Sequence, residues 1–308
     1  MINRYLHLIT SKIPESGFKE VLRKVYFKHY NSLYPLNHLI KEIKRSDGGD
    51  DEILVELVNG IRFFTPVNEY KPGAYGIGKE HREFKYGDPQ KLDKLNQINI
   101  EYFAEFFSIL RSIFVMNIYE KDYSFQPGDT VLDLGANIGI FAVKAGKQVG
   151  KRGKVIAIEP DPHNLSYLER NLEINEIKNC VIVPKGVWSK KGELNLYLGP
   201  GGGCNSLVWK REKLVSVKVD TLSGILDKIK VDNVNFIKMD IEGAEIEALE
   251  GMENILKEHD VTLAIEAFHV VNNQPSSVVI LPRLRKLGYK AYERDGFVYA
   301  RRESCLKI

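Results

Sequence analysis

Features that restrict a protein to the cell exterior or to a membrane are scarce in this chain of 308 residues. Its only cysteines are Cys180, Cys204 and Cys305, and their odd number and wide spacing argue against a disulfide framework and a zinc site. No apolar run approaches the about 18 residues that a membrane span needs, and the N-terminus lacks the apolar centre of a secretory signal. We therefore expect a globular protein of the cytoplasm without a transmembrane segment.

A strong charge of one sign is also lacking, since the formal net charge is +3. A balance so close to neutral gives no argument for a nucleic-acid partner. The first 45 residues are nevertheless basic, and Ser16 there is a suitable N-cap for a helix with one apolar and one lysine-rich face. We interpret this helix as packed on the main domain. Its basic face leaves open a peripheral contact with a membrane surface or an anionic substrate.

The N-terminal part of the chain has no recognisable functional motif. Residues 53–65 alternate between apolar and polar, and the Asn-Gly pair at 59–60 is a strong signal for a β-hairpin. Residues 98–118 have apolar side chains near helical spacing, which indicates a buried helix. We predict that residues 1–120 form a helical and β-hairpin extension that caps the substrate, and that residues 121–308 form the cofactor-binding domain.

The most informative feature is a strand that runs directly into small residues, TVLDLGANIGIF at 130–141. Gly135, Asn137 and Gly139 supply backbone freedom where the chain turns sharply and lets a ligand approach. Asp133 places a carboxylate near this loop, where it would repel the pyrophosphate of a dinucleotide. S-adenosylmethionine instead presents an ammonium and a sulfonium group, which a carboxylate attracts. The loop therefore predicts a site for S-adenosylmethionine.

Strands and helices alternate from this loop onward. Further apolar strands are predicted at 154–158, 180–183, 234–239 and 261–265. An extra hairpin is expected between the third and fourth of the strands that begin at Thr130, because residues 192–219 alternate around a glycine-rich run. A helix around 277–287 precedes a turn at Asp295-Gly296. The pattern predicts an α/β, doubly wound, mostly parallel sheet with an antiparallel C-terminal hairpin.

Two further segments are candidates for cofactor contacts. Glu159 ends the second strand at the distance from the glycine loop where an acid binds a ribose. Asp161 and Pro162 follow as the N-cap and first residue of a helix. The third strand has no acid or amide after it for the adenine amine, so we expect backbone groups around Gly186 and Val187 to bind adenine.

The reaction side is expected at the ends of the fourth and fifth strands. Lys238 and Asp240 share a face because side chains alternate along a strand, and Asp240 follows the strand into the cleft. Glu266 and His269 lie at the same rim. We take these as the candidate catalytic residues, with one of the acids or the imidazole removing a proton. A divalent metal bound by Asp240, Glu266 and His269 is an alternative, although the spacing does not define a set of metal ligands.

These segments resemble the FkbM family of S-adenosylmethionine-dependent methyltransferases. The resemblance rests on four stretches: LDLGANIGIF at 132–141, AIEPDPHNLSYLERNLEIN at 157–175, KGVWSKKGELNLY at 185–197 and IKMDIEGAEIEALEG at 237–251. It covers about residues 125–300 and implies a seven-stranded, Rossmann-like methyltransferase sheet. It also implies O-methylation of a hydroxyl on a sugar, glycan or other small molecule.

By this resemblance, Asp133, Gly135, Asn137, Gly139 and Glu159 hold the cofactor, and Asp240 with the run after it lines the reaction side. Three other functions are alternatives: an RNA methyltransferase, an inactive methyltransferase-like binding protein and a nicotinamide-dependent oxidoreductase. No RNA-binding module is visible, which makes a nucleic-acid acceptor the weaker alternative. The acceptor and the oligomeric state stay open at this stage.

Overall fold

The computed structural model describes residues 39–46, 52–66, 106–199, 203–271 and 273–302. The basic helix predicted from Ser16 lies outside these residues, as does the first part of the helix predicted over 98–118. The described part of the latter is α-helical at 106–110 and continues as a π-helical turn, Arg111–Val115.

Elements of the described residues are numbered here in chain order. The α-helices are α1 (Ile140–Val149), α2 (Pro162–Ile174), α3 (Leu222–Ile229), α4 (Glu245–Gly251), α5 (Glu253–Glu258) and α6 (Ser277–Lys286). The strands are β1 (Ile40–Arg45), β2 (Glu52–Leu57), β3 (Arg62–Pro66), β4 (Thr130–Leu134), β5 (Lys154–Ile158), β6 (Cys180–Val183), β7 (Gly186–Val187), β8 (Gly192–Tyr197), β9 (Leu214–Asp220), β10 (Phe236–Met239), β11 (Thr262–Glu266), β12 (Val270–Val271), β13 (Gln274–Pro275), β14 (Tyr289–Arg294) and β15 (Phe297–Arg302).

The main sheet has seven strands in the order β14-β15-β11-β10-β4-β5-β6. The strands from β11 to β6 are parallel, whereas β15 runs antiparallel to both β11 and β14. The chain moves outward from β4 to β6 and then returns to β10, so the strand order reverses between β4 and β10. Ligands of open α/β sheets bind at such a reversal, beyond the carboxyl ends of the strands. The predicted doubly wound sheet with its antiparallel C-terminal hairpin is confirmed.

Helices cover both faces of this sheet because the central strands are buried on both sides. Along β4, Val131 belongs to an apolar cluster with residues of α1 and α2, whereas Leu132 and Leu134 belong to a second cluster with residues of α3 to α6. Side chains alternate along a strand, so Asp133 lies on the same face as Val131. This puts one carboxylate among the apolar residues at the centre of the molecule.

Among the described residues, three smaller sheets accompany the main sheet, and the shortest is the antiparallel pair of β12 and β13. The predicted hairpin is confirmed as β2 and β3 around Gly60, and the unpredicted β1 completes a sheet in the order β1-β2-β3. The predicted extra hairpin is β8 and β9, and it joins β7 in a separate sheet. Val55 and Phe63 of the first sheet share the apolar cluster of Val131. A boundary near residue 120 therefore stays a prediction.

Asn171 of α2 and its C-cap residue Asn175 hydrogen-bond the backbone of β3 much as a neighbouring strand would. Asn171 accepts a hydrogen bond from the Phe64 N–H at 2.7 Å and donates to the Phe64 carbonyl at 3.1 Å. Asn175, one turn later, accepts from the Arg62 N–H at 2.9 Å and donates to the Arg62 carbonyl at 2.5 Å. The N-terminal sheet is therefore attached to the helix that follows Glu159.

Asn171→Ala is expected to lower the melting temperature by on the order of 10 °C. The side chain is fully buried and also donates to the Ile138 carbonyl at 2.8 Å, so its loss leaves three backbone groups without their partner. Thermal unfolding followed by circular dichroism measures the effect. Asn195→Ala, an exposed change on β8, is the control and should stay close to wild type. Equal melting temperatures for the two variants would contradict a stabilising role of the Asn171 hydrogen bonds.

Candidate active site

The loop between β4 and α1 turns through residues of left-handed backbone conformation. Gly135, Asn137 and Gly139 have φ of +76°, +49° and +88°. A Cβ on Gly135 would lie 1.9 Å from the carbonyl oxygen of Asp240, so the loop passes in direct contact with the end of β10. A Cβ on Gly139 would lie 2.5 Å from Cδ1 of Leu168. The two glycines are required by this geometry, and their contact with a cofactor stays a prediction.

Glu159 connects the end of β5 to this loop. Its Oε2 accepts a hydrogen bond from the Asn137 N–H at 2.7 Å, and its Oε1 accepts from the Asp161 N–H at 3.0 Å. Burial nevertheless raises the pKa of Glu159 from 4.5 to about 7. Asp161 acts as the N-cap of α2, as predicted, with its carboxylate accepting from the His163 N–H. Both carboxyl oxygens of Glu159 are thus engaged by backbone N–H groups, and its contact with a ribose stays a prediction.

The Glu159 pKa predicts a pH-dependent contribution to stability in the cofactor-free protein. The unfolded chain ionises this carboxyl near pH 4.5, whereas the folded chain keeps the proton until about pH 7. In that window the folded state binds more protons, so the contribution of Glu159 to stability falls as pH rises. Glu159→Gln removes this pH-dependent contribution to stability.

We expect the melting temperature of wild type to fall relative to that of Glu159→Gln between pH 4.5 and 7, in a series of thermal scans. Glu169→Gln, exposed on α2, is the matched control for losing one carboxylate and should run parallel to wild type. Parallel curves for wild type and Glu159→Gln would overturn the assigned pKa.

Lys238 and Asp133 form an ion pair beneath the glycine loop. Asp133 is fully buried, and one of its oxygens lies 2.9 Å from Nζ of Lys238. The same Nζ donates to the Gly135 carbonyl at 2.6 Å. Although burial favours the neutral amine, Asp133 and Asp240 outweigh it and raise the pKa of Lys238. The observed partner of Asp133 is thus Lys238, and its predicted contact with the cofactor stays a prediction.

Asp240 lies at the end of β10 between two hydrogen-bond donors. Its Oδ2 accepts from the Tyr119 hydroxyl at 3.0 Å, and Glu266 hydrogen-bonds the same carboxylate. Burial works against ionisation of Asp240, but Lys238, Glu266 and the other neighbours hold its pKa below the ordinary value. Burial and the Asp240 charge raise the pKa of Glu266 well above 4.5. The pair is therefore one carboxylate and one carboxylic acid that share a proton.

His269 lies on the loop after β11, between two glutamates. Its Nδ1 is 2.9 Å from Oε1 of Glu245, and its Nε2 is 3.5 Å from Oε2 of Glu242. Burial alone would lower the pKa of His269, but Glu245 and Glu242 raise it well above 6.5. Glu245 also accepts from the Gly243 N–H at 3.1 Å, which fixes the turn into α4. Glu245 therefore positions His269.

The loop between β8 and β9 covers this rim. Ser206 is fully buried, and its hydroxyl donates to the Glu242 carbonyl at 2.6 Å. The preceding Asn205 donates to Asp161 at 2.6 Å. The Trp209 ring packs against Gly243, where a Cβ would lie 3.1 Å from the indole, and edge-on to His269. One short segment thus contacts both the Glu159 end and the Asp240 end of the site.

Gly186 and Val187 form β7, and both are buried. They pair with Val219 and Asp220 of β9, and the next residue, Trp188, donates its N–H to the Asp220 carbonyl at 2.9 Å. Part of their backbone is therefore already engaged in the small sheet. A contact between these residues and adenine stays a prediction.

The candidate catalytic residues come together at the carboxyl ends of β10 and β11, beside the glycine loop. Lys238, Asp240 and Glu266 form one connected group. Sequence reasoning missed Tyr119 and Ser206, because both lie outside the strand-end motifs. The sequence gives one indication of Ser206, which is that it follows the glycine-rich run at 199–203 among polar residues.

A central glycine loop, carboxylates at the ends of neighbouring strands and an antiparallel last strand in a seven-stranded sheet define a Rossmann-like methyltransferase. The methyltransferase FkbM domain matches residues 133–291, more than half of the chain. The chain belongs to this family. The predicted methyltransferase class, and S-adenosylmethionine as its methyl donor, are confirmed at the level of the family.

Similar proteins come from fungi, archaea and bacteria. Methyltransferase 1 of Beauveria bassiana is 27% identical over 169 residues, which are 47% of this chain and 67% of that protein. The hexuronic acid methyltransferase AglP of Haloferax volcanii is 26% identical over 184 residues, 58% of this chain and 73% of that protein. The crystal structure of an FkbM methyltransferase from Methylobacillus flagellatus superposes with a TM-score of 0.43 and 22% identity, over 58% of this chain and 45% of that one.

Among the residues that the structure describes, no helix combines the length and the apolar character needed to cross a bilayer.

Proposed function

We propose that this chain transfers the methyl group of S-adenosylmethionine to a hydroxyl of a sugar or glycan. The observation that carries the proposal is the contact of the glycine loop with Asp240, where a Cβ on Gly135 would meet the Asp240 carbonyl. A loop that holds the donor and a carboxylate that faces the acceptor then lie side by side. Membership of the FkbM family supports methyl transfer, and the hexuronic acid methyltransferase among the relatives supports a saccharide acceptor.

In this proposal the donor lies along the carboxyl ends of β4 and β5. Glu159 accepts hydrogen bonds from the ribose hydroxyls, and the turn from Gly135 to Gly139 follows the amino-acid part of the donor. Adenine lies near Gly186 and Val187. Asp133 acts on the donor chiefly through Lys238, whose ammonium holds the Gly135 carbonyl in place. Supporting this arrangement, the Asn137 N–H already connects the loop to Glu159.

The acceptor hydroxyl attacks the sulfonium methyl in line, with the new C–O bond forming as the C–S bond breaks. The sulfur keeps the electron pair of the broken bond. The hydroxyl proton passes to Asp240, which is ionised and oriented by Tyr119 and Glu266. After the transfer Asp240 releases the accepted proton to solvent, while Glu266 keeps its own proton. Lys238 and His269 position this centre and do not carry the proton.

The remaining parts of the chain enter the proposal through their position. Residues 1–120 would shape the acceptor pocket, since Tyr119 reaches Asp240 from this part of the chain. A location in the cytoplasm belongs to the proposal as well, on the basis of the sparse, widely spaced cysteines.

Methyl transfer is tested by incubating the full chain with S-adenosylmethionine carrying a deuterated methyl group and a panel of acceptors. The panel contains neutral glycosides, uronic acids, polysaccharide fractions and total RNA, and mass spectrometry locates the label. We expect labelled methyl ether on a saccharide. Label found only in RNA would refute the saccharide acceptor, and failure to bind the donor in calorimetry would refute the enzyme itself.

A further inference from the structure

Three carboxyl groups come together at the carboxyl ends of β10 and β11. Asp240, Glu242 and Glu266 converge there, and their electrostatic effects on one another are mutual. Lys238, the buried ammonium beside them, is already paired with Asp133 at 2.9 Å. Carboxylates that approach one another in a partly buried site are stabilised by a cation. Such a cluster alone does not define a binding site, but a neighbouring imidazole adds independent geometry.

That imidazole is His269, of which only 4% is exposed. Its Nδ1 is occupied by Glu245 at 2.9 Å. Its Nε2 hydrogen-bonds Glu242 at 3.5 Å, and a cation bound there would take the place of the Nε2 proton. A metal-binding histidine nearly always has its other ring nitrogen bound to a carboxylate or carbonyl, which fixes the ring. Glu245 holds His269 in this way, with Nε2 turned toward the carboxylates.

The distances also suit a single ion. Asp240, Glu242 and His269 each offer one ligand atom, and these atoms all lie within 4.8 Å of one another. Ligand atoms around a six-coordinate cation lie about 3 to 4 Å apart, given bonds of about 2.1 Å. Small movements of the half-buried Glu242 side chain would close the set. The Glu242 backbone is held meanwhile by the Ser206 hydroxyl at 2.6 Å.

We propose that Asp240, Glu242 and His269 form a binding site for one divalent cation of the Mn²⁺ type. Two carboxylates favour a hard, oxygen-loving ion, and one imidazole extends that preference from Mg²⁺ toward first-row metals such as Mn²⁺. Glu245 positions the histidine ligand. The remaining coordination positions face the rim where the acceptor is proposed to bind, so two vicinal oxygens of a saccharide are suitable additional ligands. The site itself does not depend on methyl transfer, because the cation binds with or without donor and acceptor.

Binding is tested on the untagged, chelator-treated full chain by adding Mn²⁺ and following the free-ion signal in electron paramagnetic resonance. We expect one tight site per chain. Glu242→Gln and His269→Gln should each weaken it at least about tenfold. Glu253→Gln and His259→Gln, which lie on or just after α5 away from the rim, are matched controls and should bind as wild type does.

A second measurement does not require any variant to fold. Electron spin echo modulation of the wild-type Mn²⁺ complex should show nitrogen coupling from one histidine. Absence of a stoichiometric site would overturn the proposal, as would a site without nitrogen coupling or one that both ligand variants leave unchanged. Methyl transfer at an equal rate in chelator would not contradict the cation site, but it would exclude a part for the cation in the reaction. The two proposals therefore fail separately.

Discussion

Asp240→Asn is expected to lower kcat by about 10²–10⁴-fold while the Kd for S-adenosylmethionine stays within about threefold of wild type. The amide has the shape of the carboxylate and still accepts the Tyr119 hydrogen bond, but it takes no proton from a hydroxyl. A neutral alcohol is a poor nucleophile, so loss of the base affects the chemical step and not donor binding. Glu266 loses the charge of Asp240 in this variant, but its burial still raises its pKa and favours the protonated form, so it does not replace the missing base.

The measurement pairs single-turnover methyl transfer with calorimetric titration of the donor. Asp227→Asn, exposed on α3, is the matched control and should keep wild-type values for both. Assays with and without added Mn²⁺ separate two roles of Asp240, that of the base and that of a cation ligand. If excess Mn²⁺ restored the rate of Asp240→Asn, the lost activity would be due to weaker cation binding. A wild-type rate in Asp240→Asn without added metal would exclude Asp240 as the base.

Tyr119 shows why part of this centre escaped prediction. Its hydroxyl reaches Asp240 across 121 positions of the chain, and it precedes the part that the FkbM domain matches. The side chain is an ordinary aromatic residue in a segment without a motif. Only the packing of residues 106–119 against α1 and β15 brings it to the strand end, where its ring contacts Phe141 and Phe297. No local pattern specifies such a contact.

Asp133 illustrates the opposite case, in which the residue was singled out but its partner was not. The sequence indicates a carboxylate at the end of a buried strand. Its neutralisation by Lys238 depends on the register of β4 against β10, in which Lys238 lies directly opposite Asp133. Register between strands that are distant in sequence follows from the whole sheet. The alternation along β10 puts Lys238 and Asp240 on one face, and both Asp133 and Asp240 raise the pKa of Lys238. The ion pair with Asp133 needs the neighbouring strand as well.

The glycine loop was the most predictable part because its constraint is local. An abrupt turn after a buried strand needs left-handed backbone, and Gly135, Asn137 and Gly139 are the residue types that adopt it. What the sequence did not reveal is how close this loop lies to β10. Both the strand order and the 1.9 Å approach of a Cβ on Gly135 to Asp240 were needed to see that donor loop and carboxylate meet.

Gly135→Ala is therefore expected to raise the Kd for S-adenosylmethionine at least about 100-fold and to lower kcat as well. The positive φ costs about 1–2 kcal/mol for any residue with a Cβ. The larger effect is the collision with the Asp240 carbonyl, since the 1.9 Å contact must widen to at least 3.0 Å. The obstacle is backbone, so no rotamer change relieves it. Moving the loop also pulls the Gly135 carbonyl away from Lys238.

Gly288→Ala separates backbone strain from collision. Gly288 has a similar φ of +85°, but a Cβ there would meet no atom within 4 Å, so it should lose stability without losing donor affinity. Gly139→Ala should fall between the two, because its Cβ would collide with the end of the Leu168 side chain at 2.5 Å and not with backbone. Calorimetric Kd values and melting temperatures for the three variants give the order. If Gly135→Ala folds and binds the donor as tightly as Gly288→Ala does, the loop does not hold S-adenosylmethionine, because a displaced backbone in the binding loop must weaken the contacts it makes.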